Sequence, residues 1–138
     1  MITALDTNIL LDILAGDEGF AESSLGAVEQ AAASGSLVIC DVVYAEISTH
    51  FDVQADLERF LDENSIDVQP LGRADLFYAG RIWKKYRASG GTRSRILADF
   101  LIGAHAEMQA LQLLSRDRGF YRDCFSSLSV FDPRKGRG

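Results

Sequence analysis

The chain reads as an α/β protein built around a parallel sheet. Short apolar runs of strand length recur at 2–5, 36–40, 66–71, 111–115 and 128–131, and segments with helical spacing lie between them. Such alternation gives a parallel sheet covered on both faces. At 138 residues with no repeat, low-complexity tract or linker, the expectation is one domain over 1–138.

Ile2–Leu5 has the aliphatic content of a short buried strand, and Ile9, Leu10, Ile13 and Leu14 follow with helical spacing. "AGDEG" at 15–19 reads as a loop, and 21–34 as an alanine-rich helix ending at Gly35. "SLVIC" (36–40) is a second strand; Asp41 is placed to cap a helix running to about residue 50. Asp52 is placed to cap the next helix, "VQADLERFLDEN", and "IDVQPL" (66–71) is a strand stopped by Pro70.

A long helix is expected from about Arg73 to Ala88, with Leu76, Ala79, Ile82, Trp83 and Tyr86 on one face. "SGGTRSR" (89–95) is a flexible loop, "ILADFLIGAHAEMQA" is helical, and "LQLLS" (111–115) is a strand. Residues 118–124 form a short helix or turn, and "LSVF" (128–131) is the last strand.

Composition narrows the class. An apolar share of 47% and a charged share of 25% are ordinary for a globular domain. Cys40 and Cys124 are far apart and lack metal-ligand spacing, which suits a reducing cytoplasm rather than a disulfide framework. Asp6 and Asp12 interrupt the first apolar run, which speaks against a signal peptide, and no apolar run is long enough for a membrane span. Residues 1–70 carry 14 acidic residues and one basic, whereas 71–138 carry 6 acidic and 13 basic. The halves therefore hold −13 and +7 within a net −6, which fits either a polarised surface for a charged partner or two halves whose fields cancel in the fold.

Asp6 is the residue that fits least well. It stands between apolar segments, where an ionised group is costly unless paired or ligating a cation. In an open parallel sheet the strand C-termini share one edge, where ligands bind. Asp6, Glu46, Asp99 and Asp117 all follow strands or open helices that face this edge. Each has a plain alternative: a cap for Asp6, a solvent-facing helix charge for Glu46, a first-turn charge for Asp99, a turn residue for Asp117. Together they would repel unless a cation joins them, and hard oxygen ligands suit Mg²⁺ or Mn²⁺.

"LDTNILLD", "AEI", "ADFLIGAHA" and "LLSRDRGFY" resemble, in order and spacing, the PIN-domain ribonucleases, above all the VapC-type toxins of toxin–antitoxin pairs. The resemblance spans nearly the whole chain. It implies a three-layer α/β/α PIN-like fold with a central parallel sheet, and a Mg²⁺- or Mn²⁺-dependent endoribonuclease leaving a 5′-phosphate and a 3′-hydroxyl. By the same resemblance Asp6, Glu46, Asp99 and Asp117 are the catalytic and metal-holding quartet, Asn8 supports the first aspartate, and Ser115 steadies the last. Ala98 departs from the proline that many relatives carry before the third acid.

The implied partners are RNA, a cognate antitoxin and, through exposed apolar residues in "LFYAGRIWKKY", a second copy of the chain. Arg93, Arg95, Arg116 and Arg118 are candidates for RNA phosphates, or for pairing with the acidic half. His105 and His50 read as packed or surface residues rather than catalytic ones. A free-standing RNA-processing nuclease is the nearest alternative. A phosphoacceptor receiver domain or a non-catalytic module would share the fold without needing the full quartet.

Overall fold

A computed structural model describes the chain except for Asp17, Glu18, Ser94, Leu111 and 136–138; of Arg118 and Lys135 only the backbone is described. Parts of the expected loops 15–19 and 89–95, and the first residue of the expected strand 111–115, thus lie outside the described residues. The strands are β1 (Ile2–Leu5), β2 (Ser36–Ile39), β3 (Ile66–Val68), β4 (Gln112–Leu114) and β5 (Ser129–Phe131). The helices are α1 (Thr7–Ala15), α2 (Ala21–Ser34), α3 (Asp41–Ser48), α4 (Gln54–Glu63), α5 (Arg73–Ala88), α6 (Ala98–Gln109) and α7 (Arg118–Cys124), followed by a 3₁₀ turn, Pro133–Lys135.

All strand pairs are parallel, in the order β3-β2-β1-β4-β5. Ala4 of β1 faces Val38 on one side and Leu113 on the other, so β1 is the central strand. Its Ala4 and Leu5, with Leu37, Ile39, Leu113 and Leu114, are buried in one core with Ile9, Leu10, Val43, Ile47 and Ala104 from the flanking helices. The result is the three-layer α/β/α architecture expected. From β1 the chain winds outward to β3, then crosses back to β4 on β1's other side. The reversal lies between β1 and β4, and a ligand crevice belongs at their C-terminal ends.

Several boundaries differ from the sequence expectations for local reasons. β3 stops at Val68 because Gln69 N makes the last sheet bond, to Ile39 O at 2.8 Å, and Pro70 has no N–H to continue it. Cys40, not Asp41, is the N-cap of α3; the Asp41 carboxylate instead accepts Leu71 N at 3.3 Å. α4 starts after Val53, without an Asp52 cap. On α5 the buried place in the first turn goes to Asp75, which accepts Gly72 N at 2.8 Å and Gln109 Nε2 at 3.2 Å. Leu76, expected on the packed face, is left exposed. No described helix is long and apolar enough to cross a membrane.

α6 approaches α7 closely at Gly103. A Cβ there would stand 2.4 Å from the ring of buried Phe125, a contact no relaxed structure accepts. Gly103→Ala is therefore expected to lower stability by roughly 1–3 kcal/mol through overpacking. Urea unfolding should show a reduced midpoint at unchanged m-value; an unshifted midpoint would mean that α6 and α7 are not in contact as described.

Candidate active site

Asp6 is both a cap and something more. It is the N-cap of α1, with extended backbone, and its Oδ1 accepts Thr7 N at 2.7 Å. Its Oδ2 accepts two side-chain donors, Ser115 Oγ at 2.7 Å and Tyr121 OH at 3.0 Å. A cap needs only the first of these. The residue is 4% exposed, and Asp6 N donates to Leu114 O at 3.0 Å, so the carboxylate is pinned at the β1–β4 crevice. Burial pushes its pKa up to about 6, the charge of Asp99 adding to the rise while the Ser115, Thr7 and Tyr121 hydrogen bonds oppose it.

Ser115 ties the neighbours together. Besides donating to Asp6, its Oγ accepts Asp117 N at 3.0 Å and lies 3.4 Å from Asn8 Nδ2. Asn8 Oδ1 accepts Arg116 N at 3.2 Å, which fixes the turn after β4 against α1. Asp117 caps α7 and is exposed, its Oδ1 3.5 Å from Phe120 N. Asp99, in the first turn of α6, is half-buried. Glu46 on α3 is exposed, and its Oε1 accepts Thr7 Oγ1 at 2.6 Å, one residue from Asp6.

Tyr121 reports on the whole group. Its ring is fully buried, and its phenol pKa is raised far above the ordinary value by burial first, then by the charges of Asp6, Asp99 and Asp117. One hydroxyl thus feels three of the four expected acids, and Thr7 links the fourth to Asp6. Among the described residues, no three acidic, imidazole or thiol side chains already stand at ligand distance. A cation instead sits at one of them: Arg93 Nη1 is 3.2 Å from Asp99 Oδ2. Mutually repelling hard oxygen donors, one of them already satisfied by a guanidinium, fit a divalent cation of the Mg²⁺ or Mn²⁺ kind.

The four arginines separate. Arg116 makes a two-pronged pair with buried Asp12, Nε–Oδ2 at 2.9 Å and Nη2–Oδ1 at 3.0 Å, and lies over the Phe20 ring at 4.2 Å. Ser24 Oγ donates to the same Asp12 at 2.8 Å. This is pairing with the acidic half. Arg93 faces the acidic edge, Arg95 is exposed, and the Arg118 side chain lies outside the described residues. His105 is buried with Nε2 lacking a partner among the described residues, and His50 is exposed. Cys40 is buried and Cys124 half-buried, both free.

Sequence reading missed Tyr121 and Thr7, and it offered pairing with the acidic half for Arg116 without identifying Asp12 as the partner. Tyr121 lies four residues past Asp117, one helical turn on, a spacing that signals proximity only once Asp117 is known to start a helix. Thr7 lies inside the "DTN" stretch, where its hydroxyl had no assigned partner.

The chain matches the PIN domain family over residues 3–125. A search of curated proteins by sequence finds no match. Among solved structures, VapBC2 from Rickettsia felis bound to a DNA fragment from their promoter matches with TM-score 0.74 and 21% identity, covering 96% of this chain and 98% of that chain. DNA-bound VapBC from Salmonella typhimurium matches with TM-score 0.73 and 15% identity over 96% and 98%. VapBC-1 from nontypeable Haemophilus influenzae matches with TM-score 0.69 and 17% identity over 97% and 99%. At these identities the likeness is one of fold.

Burial of Asp6 has a pH signature. Between pH 3.8 and about 6 the native carboxyl keeps a proton that the unfolded chain has lost. The group therefore stabilises the metal-free fold below pH 3.8, and that contribution is lost as pH rises through 6, on the order of 3 kcal/mol in all. Asp6→Asn removes this dependence, so the mutant should gain stability relative to wild type as pH rises from 4 to 7. Urea midpoints of both proteins in EDTA across that range test it; parallel pH curves would show that Asp6 is not buried and ionised as described.

Proposed function

The chain belongs to the PIN domain family, and we propose that it is a metal-dependent endoribonuclease acting as the toxin of a toxin–antitoxin pair. The observation that carries the reading is the hydrogen-bonded group at the β1–β4 edge. Buried Asp6 shares Ser115 Oγ with the backbone of Asp117, reaches α7 through Tyr121, and is joined to Glu46 through Thr7, with the charge of Asp99 near enough to act on it. These acids come from four separate elements meeting at the sheet's switch point. A fold has no structural need to assemble such repulsion there.

Asp6, Glu46, Asp99 and Asp117 would hold Mg²⁺ or Mn²⁺. When bound, such an ion lowers the pKa of a water and offsets charge on phosphoryl oxygens, the chemistry of phosphodiester hydrolysis. The chain's own groups prepare the site. Ser115 and Tyr121 occupy Asp6 Oδ2, while Oδ1 carries only the Thr7 bond among the described residues and so keeps acceptor capacity that would serve a cation. Asn8 and Ser115 hold the backbone before Asp117. Arg93 would take an RNA phosphate once Asp99 is otherwise engaged, and exposed Arg95 would follow it in the same loop; the exchangeable Arg93–Asp99 pair supports this. The products of this reading carry a 5′-phosphate and a 3′-hydroxyl.

An antitoxin is the partner this reading calls for, supported by the fold's likeness to VapBC complexes. The acidic edge selects a basic side chain from it, arginine above all, to neutralise the carboxylates. Exposed Leu76 and Phe77 on α5 offer a surface for a second copy of the chain. Two free cysteines suit the cytoplasm.

Purified protein should cut RNA with Mn²⁺ and stop in EDTA, with new 5′-ends mapping to defined positions. Asp99→Asn and Asp117→Asn should each lower the rate roughly 100-fold or more. Undiminished cleavage in EDTA would sink the metal mechanism. For the toxin reading, a partner encoded beside this chain should abolish cleavage, and replacing its edge-seated arginine by alanine should restore it; inhibition insensitive to any basic residue of the partner would contradict the plug.

A further inference from the structure

A cavity of about 400 Å³ opens beside the acidic edge, between the end of α5 with Gly90 and Gly91 and the outer side of α7. Its two aromatic walls are Tyr86 and Phe120. Both pack edge-on against Phe100, the residue after Asp99, with centroids 5.3 and 5.0 Å away. Phe120 also carries the Arg93 guanidinium at 4.4 Å, and Arg93 touches Asp99. Asp117 caps the helix that Phe120 belongs to. One ring therefore divides the acidic edge from the cavity.

The loop is shaped to keep this space open. Gly90 has φ +95°, and a Cβ on Gly91 would stand 2.3 Å from the Tyr86 ring, so the chain lies flat on that ring as only glycine allows. Tyr86 OH then accepts Thr92 N at 3.2 Å and Arg93 N at 3.3 Å, and Trp83 Nε1 donates to Arg93 O at 3.2 Å. The same contacts that form the cavity aim Arg93 at Asp99.

The lining is mainly apolar and aromatic, with Lys85, Ser89, Asp123 and Ser126 as polar edges. Lys85 lines it, Arg87 Nη1 donates to Gly91 O at 3.2 Å, and Arg93 lies over Phe120, against the single lining carboxylate of Asp123. A basic rim suits a phosphate backbone. Tyr86 and Phe120, each with one ring face covered by the chain itself (Gly91 on Tyr86, Arg93 on Phe120), still line the cavity and offer a base their remaining aromatic surface. The volume falls in the range of small-ligand pockets and exceeds what one base fills. Single-stranded RNA presents such bases splayed out of the strand, for stacking on aromatic side chains.

Resting on the nuclease reading above, we infer that this cavity takes an unstacked base of the RNA strand one or two nucleotides from the scissile phosphate. Tyr86 and Phe120 would form its walls, and Lys85 would stand at the neighbouring phosphate. The cavity is then the place where sequence preference around the cut is set.

An abasic scan of a cleavable RNA tests this. Single abasic nucleotides are placed at each position flanking the mapped cut, or along the oligonucleotide if no cut exists, and binding is measured in EDTA. One position should weaken binding by about 5–100-fold, the loss of a stacked base. Ser126→Trp and Ser89→Trp, which fill the cavity from opposite walls at exposed positions, should erase the difference between abasic and intact RNA. A flat scan, or a scan unchanged in both variants, would overturn the inference even where cleavage is normal. A positive scan from a protein that cuts no RNA would keep the cavity and overturn the nuclease reading.

Discussion

The carboxylate of Asp6, buried at the end of the central strand and held by three donors, is the constraint around which the molecule is arranged. Ser115 comes from beyond β4, Tyr121 from α7 and Thr7 from the start of α1. Satisfying one buried charge thus fixes two strands and two helices relative to one another. An ionised carboxylate this deep is tolerated because each oxygen is hydrogen-bonded. Its pKa is still raised, by burial first and by the nearby charge of Asp99 as a smaller addition.

The opposite charges of the two chain halves are knitted across the same region. Arg116 from the basic half closes on Asp12 from the acidic half, and Phe20 stacks on its guanidinium. Removing Arg116 would leave the buried carboxylate of Asp12 without its cation, so Arg116 is committed to the fold. Arg93 differs. Its pair with Asp99 is about a third exposed on both sides, a geometry of low energy that a ligand can displace. The basic half therefore divides into a structural arginine and an exchangeable one, although both flank acids in the sequence.

The alternation of strands and helices was readable from the apolar runs, and α5 covers Arg73–Ala88, the range expected for it. What could not be read is where backbone and side-chain donors compete. Asp41 looked like a cap but is spent on Leu71 N, and Asp75 takes the buried place that periodicity assigned to Leu76. For the proposed site, the four acids were singled out because each breaks or follows an apolar segment. Tyr121 was not, because a tyrosine near the chain's last helix looks like any core aromatic until its hydroxyl is seen on Asp6. Pairing with the acidic half was open for Arg116, but its partner could not be named, because Asp12 lies 104 residues away whereas Asp99 is 6 from Arg93.

The central claim is that the acidic edge is a cation site built on Asp6, and Mn²⁺-dependent thermal melting tests it without recourse to catalysis. Ligand binding only to the native state stabilises it by about 2.7 kcal/mol at 100 times Kd. Wild type should show a melting temperature that climbs with Mn²⁺ concentration, while Asp6→Asn, which keeps the cap and the shape, should show little or no climb. Equal climbs in the two proteins, or none in wild type up to millimolar Mn²⁺, would make Asp6 a structural cap and contradict the account.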